Sequence, residues 1–215
     1  GSGSVKILLY GLSGTGKTEF SRYLGQCLGK DLLLKRASDI FDKYVGGTEH
    51  NIASAFQEAA ANDKILLFDE ADSFFSDRNN AVRNFERTQV NEFLTQLEEF
   101  PGIVICTTNL KQVMDPAMLR RFHITVDFKA LTQEGIAKLL SKFFKTYTFS
   151  EKMIKEVASY NSVTPGDFSR LADTIKFMDE EDISSQGIID ELCNIQKEKD
   201  QVGGGQHKKT VGFCA

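Results

Sequence analysis

Apolar positions along this chain change rhythm at about residue 131. Before that point they come in short runs at residues 5–10, 32–34, 64–68, 103–107 and 124–128, each of strand length. Between the runs lie stretches with helical spacing. One runs from Lys17 to near Gly29, one carries Ile52, Ala55, Phe56, Ala59 and Ala60, and a longer one carries Val90, Phe93, Leu94 and Leu97. Strands that are apolar throughout, rather than at alternate positions, are buried on both faces. Strands alternating with helices build a parallel sheet covered on both sides. The expected fold is therefore α/β, with five parallel strands sandwiched by helices.

After Leu131 no strong strand signal remains. Ile136, Leu139, Leu140, Phe143 and Phe144 form one helical stripe, and Ile154, Val157 and Ala158 a second. Phe168, Leu171, Ala172 and Ile175 form a third, and Ile188, Leu192 and Ile195 a fourth. The expected division is a linker at residues 1–4, an α/β unit at 5–130, a small all-helical unit at 131–200 and a mobile tail at 201–215 that contains Gly203-Gly204-Gly205.

Composition removes several function classes. A chain of 215 residues holds one large domain or two small ones, and 41% hydrophobic with 26% charged residues excludes disorder throughout. No run reaches the roughly 20 apolar residues of a membrane span, and no basic stretch leads into an apolar one as in a secretory signal. No membrane partner is expected. The 26 Lys and Arg against 30 Asp and Glu leave a net charge of −4, which argues against nucleic-acid binding by phosphate neutralisation. Cys27, Cys106, Cys193 and Cys214 lack CxxC spacing and fit reduced thiols in the cytoplasm better than zinc ligands or disulfides.

Gly11-Leu12-Ser13-Gly14-Thr15-Gly16-Lys17-Thr18 fits the pattern G-x-x-x-x-G-K-[ST], with Glu19 next in the chain. Glycines let the backbone curl until several N–H groups face phosphate oxygens, and a helix starting near Gly16 adds its positive end. Lys17 would reach the β- and γ-phosphates and the Thr18 hydroxyl would bind Mg²⁺. A chance glycine turn would show the same letters, but this one follows a strand and opens a helix, as the chemistry requires.

The run Ile65-Leu66-Leu67-Phe68 ends in Asp69 and Glu70. In an α/β sheet the ligand crevice lies at the carboxyl ends of the strands, so both carboxylates are expected beside the phosphate loop. Asp69 suits Mg²⁺ coordination, directly or through water. Glu70 suits a base that polarises water for attack on the γ-phosphate, which favours hydrolysis over transfer to a small acceptor. The plain alternative is a solvated loop start in Asp69-Glu70-Ala71-Asp72.

Three further stretches, Thr107-Thr108-Asn109, residues 115–122 (Asp-Pro-Ala-Met-Leu-Arg-Arg-Phe) and residues 43–49 (Lys-Tyr-Val-Gly-Gly-Thr-Glu), complete a pattern. With the phosphate loop and acidic pair they resemble the AAA ATPases of the AAA+ superfamily, in the branch with the second region of homology. That branch includes protein unfoldases and severing or membrane-remodelling ATPases. The resemblance implies a helical lid after the sheet, ATP with Mg²⁺ at the junction, and assembly into a ring, usually a hexamer, that works on a polypeptide substrate. By motif, Asn109 resembles the sensor that orients the attacking water. Arg120 and Arg121 resemble arginine fingers that reach a neighbouring protomer's nucleotide, against the alternative of a surface pair bonded within its own chain. Lys43, Tyr44 and Val45 resemble the first pore loop, whose aromatic ring grips an extended chain without regard to sequence. Asp167 stands where other AAA+ branches carry a second sensor arginine. Relatives contact adenine with a segment ahead of the first strand, so the chain is expected to be part of a longer protein. Nucleic-acid-loading AAA+ modules, non-hydrolysing nucleotide-dependent scaffolds and small-molecule kinases are the alternatives. The acidic balance, the set of Glu70, Asn109, Arg120 and Arg121, and the glutamate base respectively stand against them.

Overall fold

The structure, a computed structural model, describes residues 3–42, 44, 46–72, 84–109, 116–178 and 183–203. Lys43 and Val45 of the expected pore loop, Asp115, and residues 204–215 of the expected tail lie outside them. The chain parts into two compact units between Lys129 and Ala130.

The first unit is built on five parallel strands: β1 (Val5–Gly11), β2 (Leu32–Arg36), β3 (Ile65–Asp69), β4 (Ile103–Thr108) and β5 (Ile124–Phe128), in the order β2-β3-β4-β1-β5. Successive side chains point to opposite faces. Ile7, Leu9, Ile65, Leu67 and Ile105 bury one face, where Leu24 of helix α1 (Lys17–Leu28) packs. Leu8, Leu66, Phe68, Val104 and Cys106 bury the other, under Ile52 and Phe56 of α3 (Gly47–Ala61) and Phe93 and Leu97 of α4 (Asn84–Glu99). Phe56, Phe68, Phe93 and Phe100 form a ring cluster there, with contacting centroids 5.1–6.1 Å apart; Phe56–Phe68 is tilted and the other three contacts are edge-to-face. Short α2 (Ala37–Ile40) follows β2, and short α5 (Pro116–Leu119) precedes β5.

The expectation of strands buried on both faces holds for β3 and for most of β1 and β4. It fails for the two edge strands, β2 and β5, whose residues are all exposed or half-buried, with Ile124 47% exposed. As an edge strand β5 pairs only with β1.

Two of the expected boundaries differ from the structure. The Ser4 hydroxyl donates to Phe100 O at 3.0 Å and accepts from Lys6 Nζ, so the end of the presumed linker is fastened to the sheet. Lys6 is buried, and its ammonium also donates to Phe100 O at 2.6 Å. At the other end, residues 201–203 continue the last helix instead of opening a tail; Gln201 and Val202 carry no helix-breaking feature.

The second unit holds α6 (Gln133–Phe143), α7 (Glu151–Ala158), α8 (Pro165–Ile175) and α9 (Ser185–Gly203). Their stripes meet in one core that includes Ile136, Leu140, Val157, Phe168, Leu171, Ile188 and Leu192. Thr132 and Ser150 cap α6 and α7 by accepting from backbone N–H groups of the first turn.

Candidate nucleotide site

The strand order builds the site. β4 lies between β1 and β3, so the end of β4 falls between the loop after β1 and the carboxylates after β3. Gly11 ends β1 with φ 136°, and a Cβ there would stand 2.1 Å from Phe128 O. Only glycine fits so close to the β5 backbone. Gly14 and Gly16 are also left-handed, with φ 75° and 93°, and Gly16 caps α1. The Thr15 hydroxyl donates to Leu12 O at 2.7 Å and closes the loop. Leu12 and Ser13 form its exposed rim. The Glu19 side chain is turned to solvent and pairs with Arg22 at 3.4 Å, so only its backbone belongs to the loop-to-helix turn.

Lys17 is only 7% exposed, and its ammonium donates to Gly11 O at 2.9 Å, Leu12 O at 2.8 Å and Asn109 Oδ1 at 2.8 Å. Burial lowers its pKa from the ordinary 10.5, while the carboxylates of Asp72, Asp69 and Glu70 push back upward. The Thr18 hydroxyl donates to Asp69 Oδ1 at 2.9 Å and Oδ2 at 3.1 Å. A hydroxyl and a carboxylate in contact are hard oxygen donors, the kind Mg²⁺ takes alongside phosphate and water, so these residues fit the ion. Glu70 is exposed at the crevice with φ 55°, a left-handed conformation uncommon outside glycine. The structure thus brings together Lys17, Thr18, Asp69, Glu70 and Asn109.

Arg120 and Arg121 are not part of that cluster. They stand just before β5 begins, at the end of the sheet opposite the strand carboxyl ends. Arg120 is exposed, and Arg121 forms an ion pair with Glu98 of the last turn of α4. Tyr44 lies apart as well, 79% exposed on a closed turn. Its N–H donates to Asp42 Oδ1 at 3.0 Å, its carbonyl accepts from Gly47 N–H at 3.1 Å, and Asp42 N–H donates to the buried Thr48 hydroxyl at 3.0 Å. A Cβ on Gly47 would meet the Asp42 side chain at 2.7 Å, which accounts for the second glycine of Gly46-Gly47.

The sequence profile of the ATPase family associated with various cellular activities (AAA) matches residues 7–130. This chain belongs to the AAA ATPase family. The enzyme class that comes with the family is that of an ATPase. The 26S proteasome subunit RPT4 of Saccharomyces cerevisiae is 35% identical over 123 residues, which take in 53% of this chain and 28% of that protein. The vesicular-fusion protein SEC18 of the same organism is 33% identical over 147 residues, 60% of this chain and 19% of that one. The chain spans between 10% and 29% of the length of the first curated relatives it matches. A chain of the E. coli MS115-1 HORMA:CdnC:Trip13 complex superposes with a TM-score of 0.71 over 99% of this chain and 77% of that chain; at 20% identity the likeness is one of fold.

Two residues of this AAA module's candidate site were given no role of their own by the sequence. Thr107 bridges β4 to the Asp69 carboxylate and the Glu70 backbone: its hydroxyl donates to Asp69 Oδ1 and accepts from Glu70 N–H. Asp72, read as part of a solvated loop start, accepts from the Thr108 hydroxyl and from Asn109 N–H at 3.1 Å, and so fixes the residue that Lys17 touches. The available signal was the pairing of an acidic Asp-x-x-Asp turn with hydroxyl residues at the end of another strand. Among the described residues no group of three or more His, Cys, Asp or Glu gathers as a metal site, and no helix is long and apolar enough to cross a membrane.

In the helical unit Asp167 is buried, and its Oδ2 gathers Thr164 N–H at 2.8 Å, the Thr164 hydroxyl at 3.2 Å, Gln196 Nε2 at 3.0 Å and Lys199 Nζ at 2.6 Å. It is turned into its own unit. Arg170 faces Glu198 at 3.6 Å on the surface.

Proposed function

We propose that the chain is the ATP-hydrolysing module of a ring-forming protein remodeller. The observation that carries this reading is the joining of three chain segments by Lys17, Asn109 and the Asp69–Glu70 pair, with β4 between the other two. In this reading the backbone N–H groups of residues 11–16 and the Lys17 ammonium hold the β- and γ-phosphates, which replace the loop carbonyls as acceptors. Thr18 and Asp69 hold Mg²⁺, which when bound draws charge from the phosphate oxygens. Glu70 takes a proton from the attacking water, and Asn109 orients that water while fixed by Asp72 and Lys17.

Arg120 and Arg121 stand at the far end of the sheet from their own phosphate loop, and this supports action on the nucleotide of a neighbouring copy in a ring, a hexamer by family resemblance. Tyr44, flanked by Lys43 and Val45, presents its ring outward and serves as the grip on a polypeptide. The deciding experiment is Glu70→Gln, which keeps the shape but cannot accept a proton. Phosphate release should fall about a hundredfold or more while calorimetry still finds ATP bound. Wild-type turnover in this variant would remove Glu70 as the base.

A further inference from the structure

We propose that Thr107 is a positioning residue that aims both carboxylates at the end of β3. The proposal rests on the hydrolytic reading above. Thr107 is 1% exposed and lies in the β4 ladder opposite Leu9. Its hydroxyl donates to Asp69 Oδ1 at 2.6 Å and accepts from Glu70 N–H at 2.9 Å. A hydroxyl has one proton, so once it is given to Asp69 only a lone pair remains for Glu70 N–H, and the rotor is fixed. The Thr107 carbonyl accepts from Ala71 N–H at 2.9 Å. Residues 69, 70 and 71 are thus each tied to one residue of the adjacent strand.

Between the first and last of those ties sits the left-handed Glu70, whose conformation needs outside support in a residue other than glycine. Holding Glu70 N–H fixes where the chain turns, and that direction sets where its carboxylate points. Asp69 Oδ1 meanwhile receives two hydroxyls, Thr18 at 2.9 Å and Thr107 at 2.6 Å. Thr107 comes from the sheet interior, not from the phosphate loop, so its hold on Asp69 is independent of what Thr18 binds. One buried hydroxyl therefore couples the residue proposed to hold Mg²⁺ to the residue proposed to activate water.

The test uses Thr107→Val, which keeps the shape and removes both hydroxyl bonds, and Thr107→Ser, which restores them. In the 215-residue chain, kcat for Thr107→Val should fall about tenfold, as expected for lost hydrogen bonds of ordinary strength. The Mg²⁺ concentration giving half-maximal ATP binding by calorimetry should rise several-fold. KM for ATP at saturating Mg²⁺ should stay within about twofold, and Thr107→Ser should recover both changed quantities. A purely structural hydroxyl would lower the melting temperature without moving the Mg²⁺ requirement, and that result overturns the proposal. So does a valine variant with wild-type kcat and wild-type Mg²⁺ dependence. If the valine variant does not fold, Thr107→Cys gives the same comparison, because a thiol is a weaker donor and acceptor at nearly the same volume. Wild-type protein without Glu70-dependent hydrolysis would instead remove the underlying reading, and this proposal with it.

Discussion

The Lys17 ammonium donates to Asn109 Oδ1 at 2.8 Å, across 92 positions of sequence. That bond joins the start of α1 to the end of β4 and places the buried cation against the residue proposed to orient water. The same ammonium holds the carbonyls of Gly11 and Leu12. Lys17 thus ties the loop to β4 and is also the cation proposed to hold phosphate.

Replacing Lys17 by Ala should therefore weaken ATP binding by tenfold to a hundredfold or more, since each charge-assisted bond to phosphate contributes about 1.5–3 kcal/mol. Titration calorimetry on the purified variant gives the answer. Unchanged affinity would show that the cation does not meet the nucleotide.

Arg121 pairs with Glu98, and a surface ion pair of this kind is worth only about 1 kcal/mol or less, so this pair is a weak hold against the proposed reach to a neighbouring copy's phosphate. Two defective chains test the sharing of a site between copies. Lys17→Ala spoils the pocket and keeps the arginines; the double replacement Arg120→Ala with Arg121→Ala does the reverse. Each alone should be nearly inactive, as an arginine finger is worth about 10³–10⁵ in rate. Mixed in an assembling form, they should give more ATP hydrolysis than the two samples separately, greatest near equal amounts. Co-assembly with no gain would return Arg120 and Arg121 to the reading of a surface pair bonded within its own chain.

Tyr44 should matter through its ring. Tyr44→Phe should keep the work done on a protein substrate, and Tyr44→Ala should lose it, because the exposed ring is the whole of the proposed grip. Unfolding of a fluorescent test protein per ATP consumed separates the two. Equal performance by both variants would remove the loop from substrate handling.

Lys6 supplies a pH prediction. Burial lowers its pKa from 10.5. In that case the unfolded chain binds the proton more tightly than the folded one, so the stability penalty is present below the folded pKa. It is relieved as pH rises from the folded value toward 10.5. Lys6→Met has no such proton. The stability of wild type relative to Lys6→Met should therefore climb between neutral and alkaline pH, as read from urea melts at several pH values. A constant difference would mean that Lys6 titrates normally in the fold.

The parallel sheet was legible because buried strands such as Ile65-Leu66-Leu67-Phe68 are apolar at every position. The site was legible because its glycines, lysine and carboxylates sit at strand ends in a fixed spacing. Strand order was not, since an apolar run does not say which run lies beside it; the alternation of Ile124, Val126 and Phe128 with Thr125 and Asp127 does mark β5 as half-exposed, a signal lost when all five runs are read alike. The roles of Thr107 and Asp72 depend on that order, because they act across strands and not along the chain. The Arg121–Glu98 pair and the fastening of Ser4 to Phe100 are likewise long-range, and no local pattern announces them.

Asp167 bears on where this protein can be cut. Its single oxygen Oδ2 collects donors from the start of α8 and from Lys199, 32 residues further on and one helical turn short of the end of α9. A truncation or fusion joint placed ahead of residue 199 would take the Lys199 ammonium from a buried carboxylate and leave the helix unfinished. The helical unit should then lose its sharp melting transition and yield to protease along α8, while versions that end after Gly203 stay resistant.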